Sequence, residues 1–141
     1  MPLDLSSLKK AIDSLERSLE TASGCETKPG WSEELGETIR AGVIQNFEVA
    51  YELCWKFIRR WVRKNVTPED ADLPRSRKEL FRTAARYGLI ADPIPWFAYG
   101  DARNLTAHTY DEQNAETVFE AASQFIVDAK YLLERLEEHN D

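Results

Sequence analysis

Residues 103 to 110 read RNLTAHTY. Within these eight residues stand Arg103, Asn104, His108 and Tyr110. The chain has two histidines, and the other, His139, lies in the C-terminal tail. Arginine presents a planar fork that can grip a phosphate in two places. Histidine titrates near neutral pH and can give or accept a proton. Cleaving RNA without a metal needs three things: the 2′-hydroxyl must lose its proton, the crowded phosphate must be stabilised, and the 5′-oxygen must gain a proton. Arg103 could serve the second need and His108 the first or third. Asn104 could orient the histidine or the phosphate. The same residues also have plainer readings. Arg103 could pair with Asp101, Asp111 or an acid on another helix, His108 could satisfy the last carbonyls of its helix, and Tyr110 could belong to the core.

One chain supplies one suitable histidine. A two-histidine acid–base mechanism would need a homodimer that brings two copies of His108 together, or another group for the second step. Metal chemistry is poorly supported, because His108 has no second histidine or cysteine at ligand spacing. No glycine-rich phosphate loop and no nucleophile elbow occur. No cofactor is implied.

The elements that must position these residues all read as helix. At 141 residues the chain fits one domain with a real core. Leu8, Ile12, Leu15, Leu19 and Ala22 make one apolar stripe. A loop is expected from Gly24 to Gly30. Ser32 caps a long helix to about Asn65, roughly 48 Å at 1.5 Å per residue. Its acidic start and basic end suit the helix dipole. It carries two stripes: Ile39, Val43, Phe47, Cys54, Phe57 and Trp61, with Ile44, Tyr51, Trp55, Ile58 and Val62 beside them. So wide an apolar arc must be covered from more than one side, by another helix or by a second subunit.

Val66 to Pro74 reads as an acidic connection. Ser76 to Glu79 is a capping box, opening a short helix that buries Leu80, Phe81, Ala84 and Tyr87. Gly88 closes it, with Leu89 and Ile90 making the accompanying apolar contact. Asp92-Pro93 starts the helix that carries Trp96, Phe97 and Leu105 into RNLTAHTY. Five residues turn a straight helix by about 140°. Arg103 and His108 therefore share no face unless the helix ends near Ala107. Asp111 or Asn114 caps the last helix, with Val118, Ala122, Phe125, Ala129, Leu132 and Leu136 facing inward. The expected fold is all-α, an antiparallel bundle of four or five helices.

The net charge is −7. Between Lys56 and Arg86 ten basic residues face four acidic ones, so that sector carries +6 and the remainder −13. Such a sector can bind a polyanion locally or can simply solvate helix surfaces. No apolar run approaches the ~18 residues of a membrane span, and the start MPLDLSSLKK is not built like a signal peptide. Cys25 and Cys54 form no metal pattern, and Cys54 reads as a core thiol. A reduced, cytoplasmic setting is expected.

Three stretches, GVIQNFEVAYELCWKFIRRWV (42–62), RSRKELFRTAARYGLI (75–90) and WFAYGDARNLTAHTYDE (96–112), follow one another in an order that resembles the nucleotidyltransferase substrate-binding proteins of the HEPN superfamily. The likeness spans about residues 5 to 137, so the whole chain, 1–141, is expected to be a single bundle. It implies small helical bundles that dimerise through the helices bearing an Arg–His motif, here Arg103 and His108 with Asn104 in the usual polar position. In the HepT-like branch the motif ends in a tyrosine, here Tyr110. The resemblance implies a partner, a minimal nucleotidyltransferase encoded nearby, and two alternative roles. In one, the bundle is a metal-independent endoribonuclease toxin, and the partner neutralises it by adding AMP to Tyr110. In the other, the bundle is a non-catalytic substrate-binding or regulatory subunit of a two-part nucleotidyltransferase. A purely structural dimerising bundle is the third possibility left open by the residues.

Overall fold

The computed structural model describes residues 2–25, 32–66 and 76–140. The expected loop at Gly24 to Gly30 and the connection at Val66 to Pro74 lie mostly outside these residues, as do Trp31 and Arg75. The described residues hold five α-helices and no strand: α1 Ser6–Cys25, α2 Glu33–Asn65, α3 Arg77–Arg86, α4 Pro93–Leu105 and α5 Glu112–Glu138. One 3₁₀ turn, Thr106–His108, joins α4 to α5.

The helix starts follow from local chemistry. Ser32 accepts from the Leu35 N–H, Ser76 from Glu79, Asp92 from Ile94, and Asp111 from both Gln113 and Asn114. Each satisfies first-turn donors that have no partner within the helix. At the end of α3, Gly88 takes φ +79°, and the Leu89 N–H reaches back to the Ala84 carbonyl at 2.9 Å. That left-handed residue turns the chain so that Leu89 and Ile90 both bury. Tyr87, expected inside, is 39% exposed. It is the C-cap residue, outside the apolar stripe of α3, and lies with its ring 6.4 Å from Trp61.

Most of the wide apolar arc of α2 is covered within the chain, with Ile39 and Trp55 left half-buried. Val43, Ile44, Phe47, Ala50, Tyr51, Cys54, Phe57, Ile58, Trp61 and Val62 are all buried, and α2 packs against α1, α3, α4 and α5. Four helices of the same chain thus account for most of that face. The six inward residues of α5 are fully buried as expected.

Phe125 on α5 is the hub beneath the motif-bearing helix. It meets Phe47, Trp96 and Tyr99 edge-on, with ring centroids 5.2, 5.5 and 5.2 Å away. Edge-to-face pairs of this kind fix orientation as well as burying area. Tyr99 also donates its hydroxyl to Asp128. Together these contacts seat α4 on α5, and so set where the end of α4 must lie. The two chain ends are clasped by Asn140, whose amide accepts from the Leu3 N–H at 2.7 Å and donates to the Leu3 carbonyl at 2.8 Å.

Candidate functional site

Arg103 lies in the last turn of α4, where a cation is favoured by the helix dipole. Its guanidinium reaches across to α2: Nε donates to Glu52 Oε1 at 2.7 Å, and Nη2 lies 3.4 Å from Glu48 Oε1. The partner is thus an acid on another helix, not Asp101 or Asp111. Glu48 and Glu52 are four residues apart and share a face of α2. Glu52 is itself held from two more sides. Trp55 Nε1 donates to its Oε2 at 2.8 Å, and Arg77 Nη2 lies 3.5 Å from its Oε1. Burial pushes the Glu52 carboxyl up, but the bond from Trp55 and the charges of Arg77 and Arg103 outweigh it and hold the group below the ordinary glutamate range. Arg103 is therefore fixed in place, and partly neutralised, before any ligand arrives. Among the described residues its Nη1 makes no hydrogen bond.

The helix ends at Leu105, and the 3₁₀ turn that follows is pinned at both ends. Thr106 Oγ1 donates to the Arg103 carbonyl at 2.7 Å, and Asn114 Nδ2 donates to the His108 carbonyl at 3.2 Å. The backbone of His108 is held while its side chain stays exposed. The imidazole forms no hydrogen bond to the last carbonyls of α4 among the described residues, so the helix-capping reading fails. Tyr110 is 88% exposed and is no core residue. Its ring meets His108 edge-on at 6.4 Å. It also borders a cleft of about 440 Å³ with Thr109, Arg40, Glu37 and Glu112.

The structure brings His108 and Tyr110 together on the turn and fixes Arg103 one step back on α4. It does not join Asn104 to His108. Asn104 instead lines a separate cleft with Tyr51, Arg77 and Gly100. His139 caps α5 at the far end, where its carbonyl accepts from Trp61 Nε1 at 3.3 Å. With α5 running roughly 40 Å between the two ends, His139 cannot serve His108 within one chain. Among the described residues no group of three or more His, Cys, Asp and Glu side chains is arranged to hold a metal ion.

Part of the basic sector is held against aromatic rings. Arg59 and Arg77 lie over Trp55, at 5.0 and 4.5 Å from the ring centroid. Lys78 and Arg82 lie over Phe97, at 5.6 and 5.3 Å. Such stacking holds cations at defined places. Arg77 also links this sector to the motif through Glu52.

Residues 3–138 match the family described as nucleotidyltransferase substrate binding protein like. The chain belongs to the nucleotidyltransferase substrate-binding protein family. A Haemophilus influenzae relative named "Probable ribonuclease HepT" is 35% identical over 138 residues, covering 98% of this chain and 94% of that protein. A solved Haemophilus influenzae structure, described as revealing the fold of a substrate binding domain of a nucleotidyltransferase, superposes with a TM-score of 0.85. It is 34% identical and covers 95% of this chain and 99% of its own. A Thermus thermophilus protein of known structure superposes at 0.63 with 27% identity, over 86% of this chain and 98% of its own. No helix among the described residues is long and apolar enough to cross a membrane.

The residues that sequence reasoning missed are Glu48 and Glu52. Their signal was two acids one turn apart on an otherwise apolar stretch of α2.

Proposed function

We propose that the chain is a metal-independent endoribonuclease, the toxin of a pair whose other member is a minimal nucleotidyltransferase. The observation that carries this reading is the end of α4, where a fixed arginine precedes a pinned turn that presents an exposed histidine and tyrosine to solvent. In this scheme Arg103 contacts a non-bridging oxygen of the scissile phosphate through Nη1, its remaining donors being turned to Glu48 and Glu52. His108 moves the proton. The 2′-oxygen attacks phosphorus as its proton leaves, the bond to the 5′-oxygen breaks, and that oxygen is protonated. The products are a 2′,3′-cyclic phosphate and a free 5′-hydroxyl. The second proton transfer is assigned in this reading to a second copy of His108 in a homodimer, or to another group, since His139 of the same chain lies at the far end of α5. The relative's ribonuclease name agrees with this reading.

Tyr110 is the acceptor in the proposed neutralisation. Its phenolic oxygen would attack the α-phosphorus of ATP, with pyrophosphate leaving and the phenolic proton passing to solvent. An adenylyl group there would place an anion beside His108 and compete with RNA.

One observation favours the alternative of a non-catalytic substrate-binding or regulatory subunit. Two carboxylates already neutralise Arg103, which weakens its pull on a phosphate. The experiment that separates the two readings is incubation of a mixed RNA pool, in EDTA, with the parent chain and with Arg103→Ala and His108→Ala. Cleavage lost in both variants supports the ribonuclease. Intact RNA with the parent, Tyr110 being unmodified by mass, with binding that is lost in Arg103→Ala, supports the subunit.

A further inference from the structure

One of the carboxylates that hold Arg103 stands at the head of a row of cations on α2. At about 100° per residue, Glu52, Lys56, Arg59 and Arg63 fall within about 60° of one another, so one face of the helix carries them all. The row runs roughly 17 Å from Glu52 toward the C-terminal end of α2. Lys56, Arg59 and Arg63 are exposed, as are Arg60 and Lys64 beside them. Among the described residues none of these cations has a carboxylate partner. Elsewhere on the surface cations are paired: Arg17 with Asp13, Lys130 with Glu16 and Arg135 with Glu138. The chain has 25 acidic residues against 18 basic ones, so the bare row does not come from a shortage of acids.

This arrangement works against the free helix. Lys56 has like charges three and four residues on, at Arg59 and Arg60, and the spacing of four repeats from Arg59 to Arg63 and from Arg60 to Lys64. Like charges at these separations repel. Arg63 and Lys64 lie in the last turn, where the helix dipole favours them, but Lys56 and Arg59 lie further in, where that effect has faded. Arg59 rests over Trp55, and Arg77 of α3 lies over the same ring while standing 3.5 Å from Glu52. So α3 adds a cation where the row meets the clamp on Arg103, and the charge of Glu52 is already taken up by Arg77 and Arg103.

A ligand with negative charges repeated along a line relieves this repulsion. We propose that Lys56, Arg59 and Arg63, with Arg77, form a phosphate track for an RNA strand whose scissile phosphate lies at Arg103. The identity of the strand rests on the ribonuclease reading; the attraction for a polyanion does not. An RNA strand suits the row better than a folded acidic protein, because its charges repeat at short intervals and continue without a break into the site. Contacts of this kind set the register of a strand without reading its bases.

The test uses the full chain and a 2′-O-methyl oligoribonucleotide that cannot form the cyclic product. Affinity is measured at several salt concentrations for the parent, Lys56→Gln, Arg59→Gln and, as a control with the same charge change on α1, Arg17→Gln. Lys56→Gln and Arg59→Gln should each weaken binding about five- to tenfold at about 0.1 M salt and lower the slope of log affinity against log salt by about one, while Arg17→Gln should do neither. The unfolding midpoint of Lys56→Gln without ligand should hold or rise, because a repelling charge is gone and no ion pair is lost. Equal effects in all three variants, or no salt-dependent binding by the parent, would overturn the track. A lowered midpoint in Lys56→Gln would also overturn it, by showing that Lys56 serves the fold. Polyglutamate, measured in the same way, tests the other occupant: if it binds as tightly as the oligonucleotide and loses as much in Lys56→Gln, an acidic protein surface replaces RNA. Cleavage of unmodified RNA is read separately against His108→Ala. Oligonucleotide binding that meets these expectations without cleavage would support the track and remove the ribonuclease reading.

Discussion

Glu52→Gln is the perturbation that most sharply examines how Arg103 is held. The substitution keeps the shape of the side chain and removes its charge. In the parent, Glu52 accepts from Arg103 Nε at 2.7 Å and from Trp55 Nε1 at 2.8 Å, with Arg77 at 3.5 Å. The Glu52 and Arg103 side chains are only 21% and 28% exposed, so solvent screens the pair incompletely. A glutamine can keep the bond from Trp55 but loses its attraction for both arginines. The loss of one charge-assisted hydrogen bond predicts destabilisation of about 2 kcal/mol at neutral pH. For a domain of this size that lowers the melting temperature by about 5–10 °C. The pH dependence supplies a second reading. Because the folded-state pKa of Glu52 is depressed, its contribution is present above the ordinary glutamate range and is lost as pH falls through the folded value. Urea unfolding of parent and variant should therefore differ by about 2 kcal/mol at pH 7 and converge as pH falls below the folded-state value of Glu52. A difference below about 0.5 kcal/mol at pH 7, the range of ordinary surface substitutions, would refute the reasoning. So would a difference that persists unchanged into acid.

Two further predictions concern the core. Phe125→Ala removes the ring that Phe47, Trp96 and Tyr99 all meet edge-on; denaturant titration should show a loss of about 3–5 kcal/mol, and a loss under about 1 kcal/mol would contradict its place as hub. Cys54 is fully buried, and burial alone pushes its thiol up, away from the reactive thiolate. In a Cys25→Ser chain, modification of Cys54 by a thiol reagent should proceed only as fast as the fold opens, and rapid labelling under native conditions would show the packing around it to be wrong.

Much of this architecture could be read from local chemistry. The caps Ser32, Ser76, Asp92 and Asp111 act on donors two or three residues away, so their role is written in adjacent residues. Gly88 was legible for the same reason: few other residues tolerate its φ. The stripe of α5 was legible because helical periodicity alone decides which residues face inward. Tyr87 was misplaced by the same periodicity, since the glycine turn begins one residue too early to bury it. The two stripes of α2 were read correctly, but what covers them was left open, because a pattern shows that a face is apolar and not which neighbour packs on it. The motif residues Arg103, His108 and Tyr110 stood out by type and spacing. Their surroundings did not. That Arg103 turns to Glu48 and Glu52 depends on how α4 crosses α2, and that crossing is set by Phe125 and Trp96, remote in sequence from either acid.

The central claim, that the end of α4 is a metal-independent ribonuclease centre, is tested most directly by the ends of the RNA it leaves. The purified chain and its His108→Ala variant are incubated with mixed RNA in EDTA, Tyr110 being first shown unmodified by mass. The account predicts fragments ending in 2′,3′-cyclic phosphate with the parent alone. RNA left intact by both proteins, or cut equally by both, would contradict it.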